Sequence, residues 1–455
     1  MNFRTVHYGV LLVLSVCMMT SCRKDEPNFP VGSDGAVNTW IREQMEQYYY
    51  WSSSLPSSRK IDFTPTAYFQ SLLVKEDRFS AIMQTRQAET YGNTLLNTFG
   101  IDFLQVERPT GSVSLLSHIV PGSEGAKLAL QRGDTVHSIN GTPLRTADLP
   151  VLTQQALKNP SLALTLADGS AYTLPASYIS QPVVYPYHNF LLDADQKIAY
   201  LFLSTFDFSG AYELLKVVGD MRSSDVRDLI LDLRYNSGGS VAFAAFTALA
   251  LADVSPTDIF VNYKGNRHLN QLQETFGETL GRQPDGYSFS GSAVRESGLG
   301  LSRIVVLGTG HTASAAEMLI NNLKPYISVI HIGEGTYGKD MASTTLTTPA
   351  SVIGSEASWH ILPLVYKIYN ANNEGEYSKG LLPQRSVVEY ATLPLYPFGD
   401  KRDALIADAL TFLGSKRTLR QQRMSDLPAA LPAAATLQFQ SAPYEAKSIE
   451  IDFKN

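Results

Sequence analysis

Leu229-Ile230-Leu231-Asp232-Leu233-Arg234-Tyr235-Asn236-Ser237-Gly238-Gly239 passes from a short apolar run into a glycine pair, and Val241 to Ala252 follows as an Ala-rich stretch apolar on nearly all sides. A short apolar run bounded by turn residues reads as a buried strand, and the longer stretch after it as a buried helix. The same alternation continues outward on both sides. Lys197 to Leu203 reads as a strand and Ala211 to Met221 as a helix. Arg303 to Leu307 is a strand, Ala315 to Leu323 a helix stopped by Pro325, and Ile327 to Ile332 another strand. Strands and helices in turn predict an α/β layer architecture for residues 181–413, with no internal repeat.

The rest of the 455-residue chain divides around that core. Its charged fraction, 18%, lies below the roughly 25% usual for soluble domains, and 44% of it is hydrophobic, which excludes general disorder. A net charge of -6 without long basic runs argues against nucleic-acid binding. The two cysteines, Cys17 and Cys22, leave no disulfide framework and no thiolate metal site. Arg4 and the apolar run Tyr8 to Met19 have the make-up of an export signal, at about 12 residues too short to span a bilayer. Met19-Thr20-Ser21-Cys22 resembles a bacterial lipobox, which implies cleavage after residue 21, acylation of Cys22 and a lipid-anchored place in the cell envelope, at the outer membrane. An ordinary secretory signal is the alternative. Residues 22–35 read as a polar tether.

Val37, Trp40, Ile41, Gln44, Met45 and Tyr48 fall at helical spacing, and residues 36–96 are expected to form a small helical domain. From residue 97 to 180 short strands and turns take over. Asn140-Gly141 is a type I′ hairpin signal, and Ser123 to Leu130 is expected to be a short helix. This order resembles a PDZ domain. The resemblance implies that Gly100-Ile101-Asp102-Phe103 is its carboxylate-binding loop, with Asp102 standing where a second glycine is usual. A small β-domain without a ligand is the alternative. Residues 414–455, with the Ala/Pro-rich run Pro428 to Ala435, are expected to be a poorly packed tail.

Three loops at strand ends carry the chemistry. The Asp232 to Gly239 loop offers outward backbone N–H groups at a helix start, suited to an oxyanion, or is an ordinary tight turn. Ser314, in Thr312-Ala313-Ser314-Ala315-Ala316-Glu317, is placed either as a nucleophile at a helix N-terminus or as an N-cap whose capping box Glu317 completes. Gly333-Glu334-Gly335-Thr336-Tyr337-Gly338-Lys339 fits a phosphate loop. Asp340, however, replaces the required hydroxyl, and a Thr-rich, β-like segment replaces the required helix. Nucleotide binding is therefore rejected.

Taken together, the three loops resemble those of the C-terminal processing peptidases (tail-specific serine proteases), whose hallmarks are D-L-R-x-N-x-G-G, S-A-S-x-E and G-x-T-x-G-K. Lys339 follows Ser314 by 25 residues, the family spacing, and Gly380-Leu381-Leu382-Pro383 resembles the family's G-I-x-P element. The resemblance implies a multidomain α/β protein with a crotonase-like core. It implies a Ser314–Lys339 dyad, with Gly239, Gly238 and Ala315 as oxyanion donors. Ser343 stands where many members carry Gln, so Ser343 and Glu317 are candidate supports for the dyad. His311 and His360 are the alternative bases. A serine hydroxyl needs a base in hydrogen-bond reach, and a lysine serves only when it is neutral. No cofactor or metal is implied. The expected partners are protein or peptide substrates and a membrane through the lipid on Cys22. A peptide-binding lipoprotein with a degenerate dyad is the competing reading.

Overall fold

Gln196–Phe202, Asp228–Asp232, Arg303–Gly308 and Ser328–Gly333 lie side by side and parallel in the computed structural model, which describes residues 29–57, 62–84, 94–193, 196–414 and 436–441. His188–Asp193 closes one edge antiparallel, and Arg385–Ser386 extends the other in parallel. Parallel neighbours need crossovers, and helices Ala211–Ser223 and Ala315–Leu323 supply two of them. The period-2 rule then sorts the strand residues onto two faces. Ala199, Leu201, Leu229, Leu231, Ile304 and Val306 pack against those helices and against Val241–Leu251. The alternate set, including Tyr200, Phe202, Ile230, Val305 and Leu307, packs against helix Ala404–Gly414. Both faces are covered, which explains why these strands read as nearly continuous apolar runs.

A second, antiparallel sheet runs in the order Leu272–Thr275, Ile259–Lys264, Leu364–Tyr369, Met341–Ser343. The segment after Lys339 is thus a strand, as its Thr-rich composition predicts. The expected helical domain is not self-contained. Helices Asp34–Tyr48 and Pro65–Leu72 pack through Val37, Ile41, Met45 and Phe69 onto Ile353 and Ile361 of the core. Strand Ala81–Gln84 pairs antiparallel with Trp359–Leu362. Two short helices offer too little apolar surface for a core of their own, so they borrow one.

The small sheet runs Ile101–Arg108, Gly111–Ile119, Thr135–Ile139, Ser161–Leu166, Ala171–Pro175. Asn140 and Gly141 both have positive φ, as a type I′ turn requires. Helix Leu95–Phe99 belongs to this unit, because Leu95 and Phe99 enter its core beside Ile101 and Leu162. The unit therefore begins before residue 97. The expected tail is also corrected. Thr436–Gln440 pairs with Ile101–Arg108 and adds a strand to the sheet. Cys22 and the tether residues up to 28 lie outside the described residues.

Candidate active site

Asp232, Gly308 and Gly333 end adjacent parallel strands at the same edge of the central sheet, so the three loops leave the sheet together. Hydrogen bonds then knit them. Thr312 Oγ1 donates to Leu233 O at 2.7 Å, Ala313 N–H to Asn236 O at 3.0 Å, and Tyr337 N–H to Thr312 O at 3.0 Å. The ends of open α/β sheets are where such folds place their sites.

Ser314 is not an ordinary N-cap. Its φ of 59° and ψ of -120° lie outside the extended region that N-caps adopt, and φ > 0 is uncommon for a residue with a Cβ. Such strain persists only where surrounding contacts enforce it. Here the enforcing group is Glu317. Ser314 N–H donates to Glu317 Oε2 at 2.9 Å in capping-box fashion, while Ser314 Oγ is buried without a well-formed hydrogen bond. The same carboxylate reaches the next loop: Lys339 N–H donates to Oε2 at 2.8 Å, and Gly338 N–H (2.7 Å) and the Thr336 hydroxyl (2.5 Å) donate to Oε1. Burial pushes the Glu317 carboxyl up, opposed by these hydrogen bonds. One acid thus fastens the Ser314 turn to the Lys339 loop, a larger role than the capping box expected from the sequence.

Gly238 lies directly against Ser314, since a Cβ there would stand 2.7 Å from Ser314 Cβ and 3.0 Å from Ala315 N. Its N–H, however, donates to Asn236 Oδ1 at 2.9 Å, which removes Gly238 as an oxyanion donor. The N–H groups of Gly239 and Ala315 donate to no acceptor among the described residues. Ala315 also opens a nine-residue helix whose dipole favours negative charge at that end. Asn236, positioned by donating to Leu203 O at 3.0 Å, was legible as a motif letter but not as the lock on Gly238.

Lys339 is buried, its Nζ 5.3 Å from the centre of the Phe79 ring. Phe79 in turn meets Tyr337, and Arg78 lies over both rings. A cavity of about 340 Å³ opens beside this loop, lined in part by Tyr50, Trp51, Arg78, Phe79, Gly338 and Leu364. The aromatic run at the end of the first helix is thus divided. Tyr49 is core, and Tyr50 and Trp51 are cavity wall. Ser343 is buried at a bulge in the strand opposite Leu364. Asp340 pairs with Lys367 at 3.2 Å. His360 bonds the Thr347 hydroxyl at 2.9 Å, and His311 lies beside the Gln440 side chain; neither bonds Ser314 Oγ.

Gly100-Ile101-Asp102-Phe103 does not offer a free carboxylate nest. Gly100 caps a helix at φ 74°, and the next three residues are already in a strand paired on one side with Gly111–Ile119. Phe103 N–H donates to Asp102 Oδ1 at 2.8 Å and to Ser441 Oγ at 2.9 Å. The buried Asp102 carboxylate already holds the Phe103 N–H.

Beneath the glycine loop lies a buried charge cluster. Arg234 pairs with Asp232 (2.8 Å), Glu389 (3.0 Å) and Asp403 (2.9 Å), and Arg132 of the small sheet's loops pairs with the same Glu389 and Asp403. Tyr235 donates to Glu389 and Tyr200 to Asp232. Burial alone would raise the Glu389 and Asp403 carboxyls, but the two guanidinium groups hold both below the ordinary range.

The model for peptidase family S41 matches residues 197–385, and that for the S41 N-terminal domain matches residues 36–81. A carboxy-terminal processing protease of Bacillus subtilis is 25% identical over 358 residues, covering 77% of this chain and 69% of that protein. A carboxyl-terminal-processing protease of Picosynechococcus is 23% identical over 237 residues, 50% of this chain and 51% of its own length. The crystal structure of an S41 protease from Bacteroides fragilis superposes with a TM-score of 0.66 at 23% identity, covering 86% of this chain and all of that one, which supports the multidomain α/β fold. Core and N-terminal segment both match, and in the order the family has them: the chain belongs to the C-terminal processing peptidases of family S41 and is a serine-type peptidase.

Proposed function

We propose that the chain is an endopeptidase working through a Ser314–Lys339 dyad on a crotonase-like core. Ser314 Oγ attacks the substrate carbonyl carbon while neutral Lys339 Nζ takes its proton, then gives it to the leaving amine as the C–N bond breaks. Water repeats the sequence on the acyl-enzyme and releases Ser314. The N–H groups of Gly239 and Ala315 receive the oxyanion. The observation that carries this reading is the Glu317 carboxylate, which ties the backbone of the strained serine and of the buried lysine to one anchor. The cavity beside Phe79 suits a substrate side chain, and the small-sheet unit, from helix Leu95–Phe99 to about residue 180, acts as a PDZ-like unit presenting the substrate. The test is cleavage of an unfolded model protein by the full chain and by its Ser314→Ala form, with products identified by mass spectrometry. Equal cleavage by the two would sink the reading.

Glu317→Gln replaces an acceptor oxygen with an amide NH₂ that faces N–H donors. The dyad should lose its alignment, and misplacement of about 1 Å costs on the order of 10²-fold in rate. Steady-state kinetics should show that loss in kcat with KM within about twofold. A KM effect alone would place Glu317 in binding instead.

Cys22 is read as the acylated first residue of the mature protein at the outer membrane. Cys22→Ser should move the protein from membrane to soluble or uncleaved fractions. Unchanged fractionation, with no acyl mass on the N-terminal peptide, would remove the anchor.

A further inference from the structure

Thr436–Gln440 covers the one side of Ile101–Arg108 that Gly111–Ile119 leaves open. Gln440 stands opposite Leu104, Phe439 opposite Gln105, Leu437 opposite Val106 and Thr436 opposite Glu107. The pairing skips Gln438, a bulge. Without it Leu437 and Phe439 would share a face; with it they point to opposite faces. Leu437 packs with Leu104, Val106, Leu115 and Leu395, and Phe439 lies 5.7 Å from the Phe103 ring in the small core. Ser441 completes the docking: its N–H donates to Phe103 O at 2.9 Å, and its hydroxyl donates to Asp102. The Gln440 side chain lies beside His311, three residues before Ser314. The sequence goes on after Ser441 to residue 455, so this strand is an internal segment of the chain.

We propose that the Ile101–Arg108 edge, taken as the peptide-docking edge of the peptidase read above, selects an extended internal segment with two bulge-separated apolar side chains. Thr436–Ser441 is its resident intramolecular occupant, displaced when a substrate strand binds. A bare strand edge pairs with any extended backbone, and the two apolar seats supply the selection. The occupant is covalently part of the same chain, and intramolecular attachment gives an effective concentration on the order of mM. A peptide in solution competes poorly against that. Asp102, holding the Phe103 N–H, removes the advantage of a free C-terminal carboxylate.

The experiment uses the full chain carrying Ser314→Ala, with and without Leu437→Asp and Phe439→Asp together. The probe is a fluorescein-labelled peptide of residues 434–443, made with a C-terminal amide or a free acid and read by anisotropy. The amide peptide should bind the doubly substituted chain at least about tenfold more tightly than its parent. The acid and amide forms should agree within about twofold. Equal binding to both chains, or a tenfold preference for the acid, overturns the proposal.

A second form guards against misfolding of the substituted chain. A site for a specific protease placed within residues 415–435 lets the chain be cut there while Leu437 and Phe439 stay native. Cutting should give the same gain in peptide binding, and its absence overturns the proposal. Neither binding measurement needs hydrolysis, so a failed dyad leaves the binding gain intact. A failed docking edge likewise leaves the Ser314→Ala comparison intact.

Discussion

Ser314→Ala is expected to lower hydrolysis of an unfolded protein by on the order of 10³-fold or more, leaving only what substrate binding and the oxyanion donors provide. Fold damage should not confound the result. Ser314 Oγ makes no well-formed hydrogen bond, and alanine keeps the same Cβ at the same φ of 59°. The thermal midpoint should therefore stay within a degree or two. Ser314→Gly supplies a sharper comparison. Glycine adopts positive φ without strain, so this variant should be equally inactive yet no less stable than the parent, and by the usual strain of about 1–3 kcal/mol as much as that more stable. If either variant retains more than about a tenth of the parental rate in a contamination-free preparation, the nucleophile lies elsewhere.

Lys339→Arg should be as inactive as Lys339→Ala, a loss again on the order of 10³-fold. Arginine keeps the positive charge but cannot be deprotonated in a protein. A lysine serving only as a fixed cation would be replaced with substantial activity left. A lysine that must accept the Ser314 proton would not. A base works only when neutral, so the parental rate should climb with pH along an acidic limb as Lys339 gives up its proton. His311→Ala and His360→Ala should leave that limb in place, because neither ring bonds Ser314 Oγ. An active arginine variant, or loss of the limb in a histidine variant, would move the role to another group.

The parts of the fold legible in the sequence are those whose causes are local. The central strands announce themselves as apolar runs because both faces are buried, and Ala315–Leu323 falls where expected. Ser314 and Lys339 could be singled out because each sits in a short motif at a strand end. What stayed hidden joins distant residues. Ala81–Gln84 reads as nothing in particular until Trp359–Leu362 stands beside it. Thr436–Gln440 alternates apolar and polar residues, but it is short, follows an Ala/Pro-rich run, and its partner Ile101–Arg108 lies far away in the sequence. Gly238 looked like a donor because Asn236, two residues away, gives no hint that its side chain turns back.

Arg132 and Arg234 belong to different bodies, one to the small sheet's loops and one to the glycine loop, yet they share Glu389 and Asp403. Removing one partner from such a buried cluster strands a charge, at a cost of roughly 3–5 kcal/mol. A partial tilt of the small sheet would incur that cost before water arrived to solvate what it exposed. The joint is therefore not a hinge with a soft spring. It has a click: seated, or swung clear with its carboxylates wet. Salt hardly loosens it, because buried ions are poorly screened. The Arg234 carbonyl also receives the Thr309 hydroxyl at the start of the Ser314 loop, so the nucleophile's own turn rests on whether that joint is shut.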